Sequence, residues 1–581
     1  MHTIRPLVWG SVYVTAGCLL TMTVAEFAAA APIELNPAPV PQIQRQMILP
    51  PNVVPGAEDA TPLGATLTGI VVLGADDMPV PATAEGIDAS RVARLDTPDG
   101  KAVLSPWLGR PLSRKLIAEI EASIARYYRQ RGFPFISLST PPQNIGSGVL
   151  QIRVLEFMDG KVSVQGASDA STPHLRTLIR QQPGAPIDTY QLTADLDWIN
   201  RYPFHQAQAV FTPGASFGRS DLDVQVTESK PWRAFLGYAN SGTETTGMDR
   251  YFAGAMVGGL LTADSLLSYQ YTTSHDGVDP SGHLGGEYAH QRYLSHGLHL
   301  DLPFAPRQRL EVTFNHVETN TSSNPFLVRN LTDELSAGHR FSLSNFSRLP
   351  GDLAYGVEVK RERQKTYFGN TEVLDSQLET DQIYFNWNAL WQGPDSKTGL
   401  DATLHVSPGG LNSNNTDQAM SSYTRSRVTQ SDYQYLNVRL TQLSRLPKSW
   451  SLNNELIVQF SSNALPNTEQ AGIGGEGLVR GYLLDDGAYD SLVVSRNELH
   501  LPAFNVLGGN SWLMPYLFVD GGYGRNQHNA GSQHALSAGI GMDYQLGRAL
   551  SASASYAHDF WQASQTHSGD NALELRLTLG F

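Results

Sequence analysis

Asn571-Ala572-Leu573-Glu574-Leu575-Arg576-Leu577-Thr578-Leu579-Gly580-Phe581 is a strict two-residue alternation. Leu573, Leu575, Leu577, Leu579 and Phe581 fall on one face, and Glu574, Arg576 and Thr578 on the other. Successive side chains of a strand point to opposite sides of a sheet, so this stretch specifies a strand with one apolar and one polar face. The same period recurs upstream as far as Pro231. Ile383, Phe385, Trp387, Ala389 and Trp391 alternate with Gln382, Tyr384, Asn386 and Asn388, and Leu310, Val312 and Phe314 alternate with Glu311, Thr313 and Asn315. A half-buried sheet in a soluble sandwich has this period too, so alternation alone does not identify what covers the apolar face.

The spacing between strands separates the two architectures. Strands are expected near 233–241, 250–260, 265–274, 291–303, 308–320, 333–347, 353–367, 381–392, 398–407, 432–446, 450–463, 490–502, 512–523, 534–546, 549–559 and 571–581. Tight turns then alternate with long connections at 275–290, 321–332, 368–380, 408–431, 464–489, 524–533 and 560–570. Transmembrane β-barrels sort their connections in this way, with short turns at one rim and long loops at the other. A soluble sandwich has no reason to. Residues 230–581 therefore read as an all-β transmembrane barrel of about sixteen antiparallel strands, an even count that returns both ends to one side of the membrane. Arg439 falls on the polar face of its strand, where it avoids the cost of about 2–4 kcal/mol for a lipid-facing Arg at mid-bilayer. Phe581 supplies the terminal aromatic such a barrel favours.

Helical periodicity is confined to the chain before residue 230. From Ser113 to Arg131, Leu116, Ile117, Ile120, Ile124 and Tyr127 recur at three- and four-residue spacing, and Gly132 follows where a helix terminator belongs. Strand-like segments at Thr66–Leu73, Phe135–Ser139 and Val149–Leu155 complete one small α+β unit over 66–157. A second unit over 158–229 combines strands at Lys161–Val164, Ala207–Phe211 and Leu222–Thr227 with helical stretches around His174–Gln181 and Leu192–Tyr202. Residues 32–65 are Pro-rich and read as an extended linker. His2 and Arg5, the apolar stretch Leu7 to Val24 and the run Ala28 to Ala31 read as a signal peptide over 1–31. The rival reading, Thr15-Ala16-Gly17-Cys18 as a lipidation site, has a short apolar segment and a poor match at Thr15. Cys18 is the only cysteine of the 581 residues, so no disulfide or Cys-based metal site is expected after cleavage.

Composition narrows the function. A net charge of -14 excludes a general nucleic-acid binder, which needs a basic surface. The mean hydropathy of -0.25 does not exclude a membrane protein, because a barrel hides its lipid face in alternation. No nucleophile elbow or H-E-x-x-H sequence is present, no metal or cofactor is expected, and the chain does not read as an enzyme. The Gly-rich Gly474-Gly475-Glu476-Gly477 is not followed by the Lys-Ser/Thr of a phosphate loop. Instead it leads into Leu478-Val479-Arg480-Gly481-Tyr482, in the sixth connection of the long-loop rim when the short one near Gly242 to Met248 is counted first.

Val479, Arg480, Gly481 and Tyr482 resemble the VRG[FY] signature of the outer-membrane secretion and assembly superfamily. Phe518, Asp520 and Gly522 match its F-x-D-x-G on the following barrel wall. Pro141, Gln143, Gly148 and Leu150 fit the P-x-Q-x-x-x-x-G-x-L pattern of the POTRA domain in two-partner secretion transporters. The run Leu196 to Pro203, then Pro213-Gly214 and Gly218-Arg219-Ser220, resembles their second POTRA domain, and Asn240-Ser241-Gly242 the entry to their barrel. The segments occur in the family's order over nearly all of 66–581. The chain thus resembles a two-partner (type V) secretion transporter of the ShlB/FhaC/HecB haemolysin secretion/activation kind.

That resemblance implies two periplasmic POTRA domains, which capture an unfolded partner protein by strand addition at exposed sheet edges. It implies a single-chain barrel among outer-membrane lipids, through which a large adhesin or haemolysin crosses as an extended chain, with its activation left open. It also implies that the sixth loop folds into the lumen, where Arg480 pairs with Asp520. The alternative is an outer-membrane protein assembly factor of the same superfamily, which typically carries more POTRA domains; a passive porin needs neither the two preceding domains nor the loop motif. Two departures stand out. The family's N-terminal plug helix has no clear counterpart in the Pro-rich residues 32–60, where only Gln42 to Ile48 could coil, and Phe157-Met158-Asp159-Gly160 replaces a simpler acidic-Gly turn.

Overall fold

The computed structural model describes residues 57–80, 85–279, 292–323, 325–393, 395–475, 477–506, 508–529 and 531–581. The expected signal peptide with Cys18, the Pro-rich segment up to residue 56 and the helical candidate Gln42–Ile48 lie outside the described residues. The chain divides into two units, one ending at Ser229 and one beginning at Lys230.

In the first unit, strands β1 (Gly69–Leu73), β2 (Gly86–Asp88), β3 (Ile136–Ser139) and β4 (Val149–Glu156) form a sheet in the order β2-β1-β4-β3. Helices α1 (Pro98–Leu104) and α2 (Arg114–Gln130) belong to the same fold. The apolar stripe of α2 packs Leu116, Ile120, Ile124 and Tyr127 against Ile70, Val72, Leu150 and Ile152. Ser113 caps α2 by accepting the Leu116 N–H at 3.1 Å, and Gly132 follows in the left-handed region that a helix terminator uses. Leu63 and Ala65, at the end of the segment read as linker, hydrogen-bond to Leu112. A second sheet, ordered β5-β7-β6, comprises β5 (Met158–Gln165), β6 (His205–Pro213) and β7 (Arg219–Glu228). It accompanies α3 (Thr172–Leu178) and α4 (Thr189–Ile199), and Leu192 and Leu196 of α4 share a core with Leu222 and Val224.

The second unit is a closed antiparallel barrel of sixteen long strands among the described residues. They are β8 (Trp232–Ala239), β9 (Arg250–Gly258), β10 (Leu266–Thr273), β11 (Tyr293–Ala305), β12 (Gln308–Ser323), β13 (Phe326–Ser342), β14 (Asp352–Phe368) and β15 (Thr371–Gln392), followed by β16 (Ser396–Pro408), β17 (Asp432–Arg445), β18 (Ser451–Ser461), β19 (Ser491–His500), β20 (Ser511–Arg525), β21 (Ser532–Leu546), β22 (Leu550–Asp559) and β23 (Asn571–Gly580). Short helices α5 (His275–Val278) and α6 (Asp417–Tyr423) sit in the second and fifth long-rim loops. Closure comes from β23 pairing with β8, from Arg576↔Ala239 to Gly580↔Phe235. The Asn240 side chain extends that seam, accepting the Leu575 N–H and donating to the Leu573 carbonyl, each at 2.6 Å.

Leu573, Leu575 and Leu577 are exposed at 53%, 39% and 40% on the outside of this closed surface. Ile383, Phe385, Leu310 and Phe314 are exposed in the same way. A sandwich would bury these faces in a second sheet, whereas an apolar belt around a closed barrel is a lipid-facing surface. Arg439 points inward and pairs with Glu455 at 2.6 Å.

Two of the expected long loops are corrected. Residues 321–332 and 368–380 are almost wholly strand among the described residues: β12 and β13 pair as far as Ser323↔Phe326, and β14 and β15 continue to a turn at 369–370. Charge pairs across the strands stabilise the extensions where polar composition suggested loops, among them Arg363–Asp375 at 2.8 Å and Lys365–Glu372 at 3.0 Å. With 17 and 22 residues, β14 and β15 exceed the roughly 9–11 that span a bilayer, so their hairpin projects beyond it.

Candidate functional site

Residues 462–490, between β18 and β19, form the sixth loop, and its tip lies inside the barrel. The tip's partners, Asp520 on β20 and Glu574 on β23, occupy the strand faces opposite the lipid-facing Val519, Leu573 and Leu575. The loop stiffens itself first. Ala471–Gly472 pairs with Ala488–Tyr489 as a two-residue ladder, and the Gly475 N–H donates to the Tyr482 carbonyl at 2.8 Å.

Each residue of the VRGY run has a separate seat. Val479 is fully buried with Ile473, Leu492 and Val494. It lies over Gly522, where a Cβ would approach Val479 Cγ2 to 2.9 Å. Arg480 is 2% exposed and Asp520 0%. Their pairing is bidentate, Nε to Oδ2 at 2.6 Å and Nη2 to Oδ1 at 2.9 Å, which matches the planar fork of guanidinium to carboxylate. Nη1 of Arg480 also donates to Glu498 Oε1 at 2.7 Å, and the guanidinium lies 3.8 Å from the Phe518 ring centroid. Phe518 thus covers a cation already paired with two carboxylates. Gly481 has φ +93°, and a Cβ there would stand 2.1 Å from Asp559 Oδ1; its N–H donates to Glu574 Oε1 at 3.1 Å. The Tyr482 hydroxyl donates to the Trp561 carbonyl at 2.7 Å and accepts the N–H groups of Leu536 at 3.1 Å and Trp561 at 3.2 Å.

The two barrel motifs therefore meet in one buried constellation. Residue patterns did not single out Glu498, Glu574, Asp559 or Trp561. Glu574 does alternate with the apolar Leu573 and Leu575, which places it inward, whereas Glu498 ends the polar run Ser495-Arg496-Asn497-Glu498, where alternation assigns no face; nothing in either pattern says which carboxylate meets a loop. Asp486 was also missed. It accepts the N–H groups of Leu483, Gln565 and Thr566 at 2.7, 2.7 and 2.9 Å, tying the sixth loop to the loop before β23.

In the first unit, Pro141, Gln143, Gly148 and Leu150 gather around the start of β4, an interior strand of its sheet. The Gln143 side chain imitates a strand: Oε1 accepts the Gln151 N–H and Nε2 donates to the Gln151 carbonyl, each at 2.7 Å. Gly148 has φ +79°, and a Cβ there would stand 2.4 Å from the Thr66 carbonyl oxygen. Pro141 is buried, and Leu150 lies in the core under α2. Asn200, in the run Leu196 to Pro203, repeats the device on Ala207, accepting its N–H at 2.6 Å and donating to its carbonyl at 3.0 Å.

Residues 218–544 match the family described as haemolysin secretion/activation protein ShlB/FhaC/HecB, and residues 83–156 match the ShlB-type POTRA domain. The heme/hemopexin transporter protein HuxB of Haemophilus influenzae is 24% identical over 484 residues, 78% of this chain and 78% of that one. The outer membrane transporter CdiB of Dickeya dadantii is 22% identical over 470 residues, 76% of this chain and 77% of that one. CdiB from Escherichia coli superposes with a TM-score of 0.67 at 17% identity, covering 92% of this chain and 94% of that one. CdiB from Acinetobacter baumannii gives 0.58 at 16% identity, covering 91% and 92%. These two superpositions speak for the fold alone.

Proposed function

The chain belongs to the haemolysin secretion/activation family of ShlB, FhaC and HecB, and on that basis we propose how its own residues carry out the family's work. It is an outer-membrane transporter of the two-partner, type V class, with its POTRA domains in the periplasm. A partner protein is recognised there while unfolded and is secreted through the barrel. We assign the signal peptide to 1–31, a linker to 32–65, the POTRA domains to 66–157 and 158–229, and the barrel to 230–581. The barrel is a single chain among outer-membrane lipids, performs no catalysis and needs no cofactor. Folding of the partner outside the cell supplies the driving force, since the sequence has no nucleotide-binding motif.

The observation that carries the roles is the seating of the sixth loop. With Val479, Arg480, Gly481 and Tyr482 packed into the wall, the loop obstructs the path that an extended chain would take. Arg480 and Asp520 act as its latch. Removing one partner of a buried ion pair costs about 3–5 kcal/mol, because it strands the other charge. Phe518 and Gly522 shape the seat, Phe518 as the cover of the cation and Gly522 as the space for Val479. Pro141, Gln143, Gly148 and Leu150 hold the interior strand β4 of the first POTRA domain in register, and so support the sheet whose edge strands accept a strand of the partner. An assembly factor of the same superfamily is the second reading; two POTRA sheets among the described residues favour secretion.

The test compares secretion of a candidate large exported partner protein, by the parent and by Arg480→Ala, once heat-modifiable gel mobility has shown equal barrel insertion. Secretion is expected to fall at least tenfold in the variant. Undiminished secretion would retire Arg480 from transport, and no secretion by the parent would favour the assembly-factor reading for that cargo.

A further inference from the structure

The tip of the sixth loop is seated against β19–β23, but its descending arm is held elsewhere, on the inner faces of β14 and β17. Glu469 of the arm lies 3.2 Å from Lys360 Nζ on β14, and the side chains are 0% and 5% exposed. The Tyr435 hydroxyl on β17 donates to the same Glu469 oxygen. Gln459 Nε2 on β18 donates to the Glu469 carbonyl at 2.9 Å, and Thr468 donates to Glu362 at 3.0 Å. This site uses no residue of the VRGY or F-x-D-x-G motifs.

Its charge balance differs from that at the tip. Lys360 has two carboxylates of its own wall, Glu358 at 3.3 Å and Glu334 at 3.6 Å, the latter directly opposite it in the β13–β14 register. When Glu469 leaves, Lys360 keeps both, so no bare cation remains on the wall. The departing carboxylate gains water and escapes the repulsion of Glu334 and Glu358. Burying an ion pair costs most when one partner is stranded, and here neither is. The contact is strong while formed, through a charge-assisted hydrogen bond, yet cheap to open.

We propose that Glu469 and Lys360 are positioning residues for transport: they form a second, releasable latch that holds the arm of the sixth loop in the lumen, and the pore opens fully only when this latch and the tip are both released. The inference rests on the transporter reading of the loop. Arg427 of the fifth loop bonds the two arms of the sixth through Asn467 at 2.8 Å and Asp490 at 3.3 Å, so the seated arm is also tied to the fifth loop.

The experiment reads ion current through the full-length protein in planar lipid bilayers in potassium chloride. Loss of one charged hydrogen bond is expected to raise the fraction of time in the wide conductance state by about tenfold in Glu469→Gln and in Lys360→Met. The exchange Lys360→Glu with Glu469→Lys should bring that fraction back to the parent's value or below it, because it restores the attraction and leaves the wall carboxylates Glu334 and Glu358 without a cation whenever the arm departs. A merely structural role predicts no such return. Glu469→Gln is isosteric and lies outside the barrel ladders, so it decides the matter should the Lys360 variants insert poorly. An unchanged open fraction in Glu469→Gln, or an exchange variant that inserts and stays open, overturns the latch. Because the current needs no secreted partner, that outcome leaves the transporter reading standing; that reading fails only on the secretion assay.

Discussion

A Cβ on Gly481 would meet Asp559 Oδ1 at 2.1 Å with φ at +93°, whereas a Cβ on Gly522 would meet only apolar side-chain carbons, Val479 Cγ2 at 2.9 Å and Ile473 Cγ1 and Val494 Cγ2 at 3.2 Å. The two glycines of the motifs thus differ in what they permit. Gly481 lets the backbone turn through the left-handed region against the wall; Gly522 makes room for a loop side chain. Gly481→Ala is therefore expected to unseat the tip far more than Gly522→Ala. The left-handed conformation alone costs a non-glycine residue about 1–2 kcal/mol, or roughly tenfold in the seated population. Bilayer currents of the two variants measure the difference, and equal open fractions would show that the close approach to Asp559 is relieved without moving the loop. At the same scale, Gln143, Asn200 and Asn240 use their amides to imitate a strand backbone, each giving and taking one bond. All three stood in recognised sequence patterns. Their geometric role was not legible there, because the backbone each one mimics lies 7 residues or more away and is brought close only by folding.

Among the elements, β5 carries a polar group with no visible compensation. The Asp159 carboxylate is fully buried and neither oxygen has a hydrogen-bond partner among the described residues, at a point where the β5–β7 register shifts. Burial away from water pushes its pKa from the ordinary 3.8 up to about 7. The folded form therefore holds a proton that the unfolded chain releases near 3.8. The associated stability is fully present below that value and is lost as pH rises through about 7. The sheet of β5, β6 and β7 should thus be more stable at pH 5 than at pH 8, and Asp159→Asn should flatten the difference. Hydrogen exchange of residues 158–165 in the full-length protein, corrected for the intrinsic rate at each pH, would falsify this if parent and variant respond alike. Other elements show where pattern reading stops. Helix α1 had its signal in Thr97-Pro98-Asp99, with Thr97 accepting the Gly100 N–H at 3.0 Å, but seven residues give too little periodicity to stand out. The projecting hairpins of β12–β15 read as loops because strands outside both core and lipid lose their apolar face, while their ladders and charge pairs remain.

At the scale of the molecule, the apolar belt and the charged interior require each other. The strands supply both by alternation, so parity errors are costly throughout. Leu575→Arg, at the middle of the outer face of β23, is expected to cost about 2–4 kcal/mol of barrel stability. Leu575→Ile should cost less than about 1.5 kcal/mol. The fraction of each variant that runs as folded, heat-modifiable barrel in the outer membrane would measure this. Normal insertion of Leu575→Arg would mean that the β8–β23 seam is not lipid-facing there. Alternation, loop parity and the order of the motifs determined by themselves that this chain is a two-part α+β region followed by an outer-membrane barrel with a motif-bearing sixth loop. These are local or periodic properties, written in residues a few positions apart. Beyond the Arg480–Asp520 pair that the motif resemblance already implied, tertiary structure alone decided which inward groups meet. Arg480 and Glu498 are 18 residues apart, Gly481 and Glu574 93, and Lys360 and Glu469 109. An ion pair in a lumen depends on the shear of the barrel and the path of the loop across it, and neither is a property of any one strand.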